Sequence, residues 1–171
     1  MELRGKHLKL ESVGLEAAEA LLPAYNGDAR FNVWSGFDPV LTLDQVRADM
    51  EETLRLPGGA VWRMVDHNDA LVGVAATALV PQPDTGWIAL LLIRREFQRR
   101  GYGSEAAALL ETYLFSDPQI TRIGLAVLTQ NAPGLAFWEG RGYERDSARR
   151  DDPGNEAYRY FLPRPICGGA G

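Results

Sequence analysis

The run Leu90-Leu91-Leu92-Ile93-Arg94-Arg95-Glu96-Phe97-Gln98-Arg99-Arg100-Gly101-Tyr102-Gly103-Ser104 holds the sequence's clearest chemical signal. An apolar stretch gives way to a basic loop with two glycines, and a helical pattern follows. The first turn of a helix has unpaired N–H groups and a partial positive charge. Glycine lets a ligand approach that backbone with no Cβ in the way. Arg94, Arg95, Arg99 and Arg100 add a positive field to a chain whose net charge is −5. Together these features suit a phosphate or pyrophosphate. A strand-to-helix turn with solvated arginines is the plainer alternative.

Two common phosphate motifs fit the loop poorly. A P-loop needs Lys and then Ser or Thr after its last glycine, whereas Ser104-Glu105 follows Gly103. A dinucleotide fingerprint tolerates Ala106 at its third glycine, but it opens a parallel βαβ unit. Here the loop comes late, after strands that read as antiparallel.

The remaining reactive residues are sparse. His7 lies near a strand start and reads as structural, and His67 falls in an exposed turn. Two isolated histidines and one cysteine, Cys167, offer no metal-ligand spacing, so no metal is expected. Glu105 and Glu111 read as a solvated helix face. Tyr25, Phe31, Trp34 and Phe37 crowd one aperiodic stretch, as core or as a pocket wall.

These residues need elements to position them. Leu8 to Val13 reads as a strand, and Glu16 to Leu22 as a helix stopped by Pro23. Residues 24 to 41 lack periodicity over a length that exceeds the roughly 12–15 residues of an ordinary loop, which points to function or to partial helix. Thr42 or Asp44 caps a helix to about Leu56, with Val46, Met50 and Leu54 on one face. Ala60 to Val65 and Leu71 to Val80 form a hairpin around His67-Asn68-Asp69. Trp87 to Ile93 is a buried strand, Ser104 to Phe115 a helix, and Arg122 to Leu128 a strand. Asn131 opens a helix that runs to Glu139 or Gly140, with Pro133 in its first turn. Tyr143 to Asp146 and Ala157 to Leu162 are the last strands, and Glu144 to Asp152 reads as a strand end and an exposed loop. The order predicts an α/β (α+β) mixed sheet, mostly antiparallel, of about seven strands with about four flanking helices.

The 171 residues suit a single domain, with a core over about 7–163 and a tail over 164–171. The 18 basic and 23 acidic residues argue against nucleic-acid binding. One cysteine cannot form an internal disulfide. No apolar run reaches the roughly 18 residues of a membrane span, and no signal peptide precedes Leu10, so a cytoplasmic protein without membrane attachment is expected.

Gln98-Arg99-Arg100-Gly101-Tyr102-Gly103 resembles the Gln/Arg-x-x-Gly-x-Gly/Ala signature of the GNAT superfamily of N-acetyltransferases. Asn131, Gly134, Trp138, Gly142 and Tyr143 resemble that superfamily's second block in spacing, though three of these five types differ. The element order is also similar, least so over residues 24 to 57. The resemblance implies acetyl-coenzyme A as co-substrate. It implies that backbone amides of Arg99, Arg100, Gly101, Tyr102, Gly103 and Ser104 hold the pyrophosphate. Leu91 and Ile93 would pair with the pantetheine arm in a gap where that strand splays from its parallel neighbour. Asn131 would bond the arm, and Phe137 and Trp138 would line it. Tyr25, Phe31, Trp34 and Phe37 would wall a small-molecule or peptide amine acceptor, and a homodimer is common among such proteins.

In such a site a neutral amine attacks the thioester directly and gives a tetrahedral oxyanion. Backbone N–H groups near Ile93 would stabilise that charge, and a base or a water chain would take the amine proton. Two positions depart from the pattern. Trp87 stands where a glutamate is usual, so Asp84 is the nearest upstream carboxylate and the candidate base. Trp138 replaces the usual tyrosine acid, and an indole N–H donates a hydrogen bond but not a proton. A non-catalytic acyl-coenzyme A sensor is therefore the alternative, and a nucleotide-binding α/β protein a third. Asp28, Asp38 and Asp44 near the aromatics favour a cationic acceptor.

Overall fold

Period-two apolar segments and three amphipathic stretches build a sheet with helices on both faces. The computed structural model describes residues 1–152 and 155–166. Cys167 and the glycine tail from Gly168 lie outside the described residues. The strands are β1 (Glu2–Arg4), β2 (Leu8–Val13), β3 (Ala60–Asp66), β4 (Leu71–Ala78), β5 (Thr85–Ile93), β6 (Arg122–Leu128), β7 (Glu144–Asp152) and β8 (Asn155–Pro163). The helices are α1 (Ala18–Tyr25), α2 (Ala29–Trp34), α3 (Leu43–Arg55), α4 (Tyr102–Phe115) and α5 (Ala132–Gly140). The strand order is β1-β2-β3-β4-β5-β6-β8-β7, antiparallel except for the β5–β6 pair.

The mixed sheet is the expected one, with one strand and one helix more. The extra strand, β1, is three residues long and pairs with Lys9, Leu10 and Glu11. It lies before the expected start of the core. The extra helix, α2, sits inside the aperiodic stretch. Its six residues are too few to show a period, and its start is fixed by Asp28, whose side chain accepts from the Arg30 N–H at 3.1 Å. Pro23 lies inside α1 and does not stop it. Leu21, Ala24 and Tyr25 are buried there, and that packing outweighs one lost hydrogen bond. Glu144 to Asp152 is a nine-residue strand rather than an exposed loop, because β8 pairs along it.

One face of the sheet carries α1 and α3, where Leu21, Val46 and Met50 pack on Val61, Val74 and Leu92. Thr42 closes a capping box with Gln45 at the start of α3. The other face carries α4, where Ala106, Ala107, Leu110 and Leu114 meet Leu10, Trp62 and Ile123. Glu105 and Glu111 are not a solvated face. Glu105 accepts from the His7 and Leu8 N–H groups at 2.7 and 3.0 Å, which holds the β1–β2 turn. Glu111 pairs with Arg141 at 2.6 Å and accepts from the Tyr143 hydroxyl at 3.2 Å.

The parallel pair is short. Thr85, Gly86 and Trp87 pair with Arg122, Ile123 and Gly124, and there the ladder ends. β6 goes on pairing with β8 as far as Leu128, while β5 follows β4. From Ile88 onward the two strands diverge and leave a gap. Trp87 marks its apex. Its ring lies across Gly124 and meets Phe161 edge-on at 6.3 Å. A Cβ on Gly124 would come within 2.6 Å of that ring.

Candidate active site

The open end of the gap meets the start of α4. Gly101 caps the helix with φ 85°, a conformation that glycine adopts without strain. The first helical bond runs from the Glu105 N–H to the Gly101 carbonyl at 3.0 Å. The N–H groups of Tyr102, Gly103 and Ser104 therefore have no carbonyl one turn back. A Cβ on Gly103 would stand 3.7 Å from Phe137 and 3.8 Å from Ile93, in the space a ligand would use. These residues, with Gln98, Arg99 and Ser104, line an open groove of about 460 Å³. Arg99 and Arg100 are exposed beside it. Tyr102 packs on Phe97 at 6.1 Å and is structural.

Gln98 fixes the loop. Its Nε2 donates to the Ile93 carbonyl at 2.9 Å and to the Asp28 carboxylate at 3.0 Å. The Arg95 N–H donates to the Gly27 carbonyl at 3.0 Å, so the glycine loop and the α1–α2 turn are tied at two points.

Next come the strand amides. The Arg94 N–H donates to the Val72 carbonyl on β4 at 2.9 Å. Main-chain groups alternate in direction along a strand, so Leu91 and Ile93 direct theirs away from β4, into the gap. The register jumps from Ala76↔Leu90 to Thr77↔Ile88, which leaves Ala89 as a bulge within the same stretch.

The gap opens into a cleft of about 400 Å³. Leu91, Leu125, Val127, Asn131 and Trp138 line it, together with Tyr25, Phe31, Trp34 and Phe37. The structure thus brings the expected arm-binding and aromatic residues together. Asn131 caps α5, accepting from the Gly134 N–H at 2.9 Å, and its Nδ2 has no protein acceptor among the described residues. Trp138 stacks edge-on with Phe137 and Tyr143 at 4.9 and 5.0 Å. It presents no phenol.

Asp84 does not reach the cleft. It sits in the turn before β5, beyond the apex, where Thr85 and Thr121 hydroxyls donate to it at 3.2 and 3.0 Å. Asp28 is taken by Gln98 and the α2 cap, and Asp38 by Gln45 at 3.1 Å. Asp44 lies exposed at the start of α3. None of these four lines the cleft.

The carboxylate that does is Asp49 on α3, which the sequence reading passed over. The Tyr25 hydroxyl donates to its Oδ2 at 3.0 Å. Burial pushes the Asp49 carboxyl above the ordinary range, Tyr25 pulls it back in part, and the charge of Glu52 pushes it up again. Burial and the Asp49 charge push the Tyr25 phenol far up as well, so it stays a donor. A signal was present. Val46, Asp49, Met50 and Thr53 follow the spacing of one buried helix face, so Asp49 interrupts an apolar stripe.

Among the described residues no helix is long and apolar enough to cross a membrane, and no group of three His, Cys, Asp or Glu could hold a metal.

Residues 27–143 match the sequence model of the acetyltransferase (GNAT) family. No curated protein matches the sequence. Among solved structures, an acetyltransferase from Thermus thermophilus is similar at TM-score 0.77 and 23% identity, over 95% of this chain and 99% of its own. An aminoglycoside acetyltransferase in complex with coenzyme A gives 0.75 and 19%, over 92% and 95%. An acetyl transferase from Salmonella typhimurium that modifies the N-terminal serine of a 50S ribosomal subunit protein gives 0.79 and 14%, over 95% and 99%.

Proposed function

Since the chain belongs to the GNAT acetyltransferase family, we propose that it moves an acetyl group from acetyl-coenzyme A to a primary amine, by direct attack with both substrates bound. The observation that carries this reading is the splay of β5 from β6 beside the open start of α4. The amides from Arg99 to Ser104 hold the pyrophosphate, helped by the charges of Arg99 and Arg100. The main-chain groups of Leu91 and Ile93 pair with the pantetheine arm as an added strand would. Asn131 donates its free Nδ2 to the same arm. Phe137 and Trp138 cover it and keep water out.

Acetyl-coenzyme A supplies an activated carbonyl carbon and a sulfur leaving group. The N–H groups facing the gap near Ile93 stabilise charge on the acyl oxygen, and one such donor contributes about 3 kcal/mol in typical enzymes. Positioning both substrates in one cleft supplies much of the remainder. Trp138 shapes the sulfur end without giving a proton, so water protonates the thiolate.

The solved relatives act on acceptors as different as an aminoglycoside and a ribosomal protein, so the shared fold does not choose the amine. The test is calorimetric binding of acetyl-coenzyme A followed by thiol release over an amine panel. Binding with turnover is expected. Binding with no turnover on any amine would instead favour an acyl-coenzyme A sensor.

A further inference from the structure

We propose that Asp49, oriented by Tyr25, docks the ammonium group of a cationic primary amine and takes the proton that the amine must lose before attack. The apolar body of that amine lies among Phe31, Trp34 and Phe37. The proposal rests on the transfer reaction assigned to the cleft, and it adds the proton acceptor and the acceptor class.

The geometry singles out this carboxylate. Among the described residues that line the cleft, Asp49 is the one acidic group. One of its oxygens takes the Tyr25 hydroxyl, and among the described residues no cation pairs with the other. A half-buried carboxylate without a cation carries a desolvation cost, and a ligand ammonium offsets it. Among the described residues, the surrounding elements give it no cationic partner. Tyr25 faces it from α1, and Glu52 adds a second negative charge from α3 itself. α2 offers Phe31, Asn32 and Trp34, and the strands offer Ala76, Leu90 and Leu92. The nearest cation on α2, Arg30, is paired with Asp28 at 3.6 Å and stacked over Trp34 at 5.6 Å. Aromatic rings beside a carboxylate suit an organic cation, since each ring face attracts positive charge. The carboxyl's raised affinity for a proton, from burial and Glu52, is in the direction a proton acceptor needs.

In the transfer step an ammonium N–H passes its proton to Asp49 and leaves a neutral amine. Its lone pair forms the C–N bond to the acyl carbon, and the C–S bond breaks. The nitrogen sheds a second proton as the amide forms. Of the two protons, one reaches solvent through Asp49 and the other passes to water, which in turn protonates the thiolate to coenzyme A thiol, for a net release of one proton.

The test uses the full chain with 2-phenylethylamine, its zwitterionic counterpart phenylalanine, and the variants Asp49→Asn, Asp49→Glu and Tyr25→Phe. Wild type is expected to use the amine at least about tenfold better than phenylalanine, whose carboxylate would set a like charge beside Asp49. Asp49→Asn is expected to lower kcat/KM about 10²–10⁴-fold and to lose the acidic limb of its pH profile. Its calorimetric affinity for acetyl-coenzyme A stays as in wild type, while amine binding in the presence of coenzyme A is lost. Asp49→Glu restores part of the rate. Tyr25→Phe keeps the acidic limb and moves it to higher pH, because the lost hydrogen bond held the carboxyl down. Wild-type turnover with an unaltered rate and pH profile in Asp49→Asn overturns this proposal and leaves the transfer reaction standing. Acetyl-coenzyme A binding without turnover of any amine overturns both.

Discussion

The side-chain amide of Gln98 donates to the carboxylate of Asp28 across 3.0 Å, and so joins the glycine loop to the cap of α2. Gln98 belongs to the glycine loop, and Asp28 caps the helix that carries Phe31 and Trp34. Burial alone would raise the Asp28 carboxyl, but the hydrogen bonds from Gln98 and the Arg30 N–H, with the Arg30 charge, outweigh it and hold it below its ordinary range. A depressed carboxyl stabilises the fold above the unfolded-state value of about 3.9 and loses that contribution as pH falls through the folded value. Asp28→Ala is therefore expected to cost about 1 kcal/mol near neutral pH, the usual loss for a helix cap, and less below pH about 4. Gln98→Ala is expected to weaken both acetyl-coenzyme A binding and amine KM. Denaturant melts across pH and paired KM values check this. An effect of Gln98→Ala on one substrate alone would contradict the coupling.

The two loop glycines separate strain from occupancy. Gly101 needs its φ of 85°, and no atom lies within 4 Å of a Cβ there. Gly101→Ala thus acts mainly through backbone strain, about 1–2 kcal/mol of stability. Gly103 has an ordinary φ, and the atoms nearest an added Cβ belong to Phe137 and Ile93, at ordinary contact distance. Gly103→Val is expected to fold, yet to bind acetyl-coenzyme A at least about tenfold more weakly, because the branched side chain, unlike the methyl that the signature accepts, would fill the proposed diphosphate site. Calorimetry beside thermal melts distinguishes the two. Wild-type affinity in Gly103→Val would remove the loop from the site.

Most of this architecture was legible because it depends on local pattern. β6 and α5 fall on their expected residues, since alternation, the Asn131 cap and Pro133 are all local signals. The glycine loop was legible for the same reason. α2 was not, because its start rests on Asp28, and six residues carry no period. The apex of the gap depends on Trp87 meeting Gly124 and Phe161 from three different strands, which no single segment encodes. Asp84, the carboxylate nearest in sequence, stands outside the cleft, because proximity along the chain is not proximity in space. Asp84 adjoins β5 in the chain but lies beyond the apex, while Asp49 comes from a helix over thirty residues earlier.

Trp87 at the apex has a structural duty of its own. A Cβ on Gly124 would come within 2.6 Å of the Trp87 ring and 2.7 Å of the Phe161 ring. Gly124→Ala is expected to destabilise by about 1–3 kcal/mol through overpacking. In the Trp87→Ala background the same change is expected to cost less, because one of the two blocking rings has gone and Phe161 gains room to shift. A double-mutant cycle measures the coupling. Additive costs would mean that the apex packing does not set where the strands part.

Asp84 provides a control for the proton-transfer assignment. Its partners are Thr85 and Thr121, outside the cleft. Asp84→Asn is expected to leave kcat/KM and the pH–rate profile within about twofold of wild type, as surface substitutions away from a site usually do. A lost acidic limb in that variant would return the base to the turn before β5.

The stability of Asp49 variants follows from the same electrostatics with opposite sign to Asp28. Burial and the Glu52 charge raise the Asp49 carboxyl in the folded protein, despite the Tyr25 hydrogen bond. A raised carboxyl favours folding fully below the unfolded-state value of about 3.9, and that contribution is lost as pH rises through the folded value. The charged form of this half-buried carboxylate therefore weighs on the folded wild type as pH rises, with no cation beside it among the described residues. Asn keeps an oxygen for the Tyr25 hydroxyl and removes the charge. Asp49→Asn is thus expected to melt above wild type at about pH 7.5, with the difference shrinking towards pH 4. Stability would rise where amine acetylation falls, the trade expected of a group kept for chemistry rather than for folding. A lower melting temperature at neutral pH would instead make Asp49 a structural partner of Tyr25.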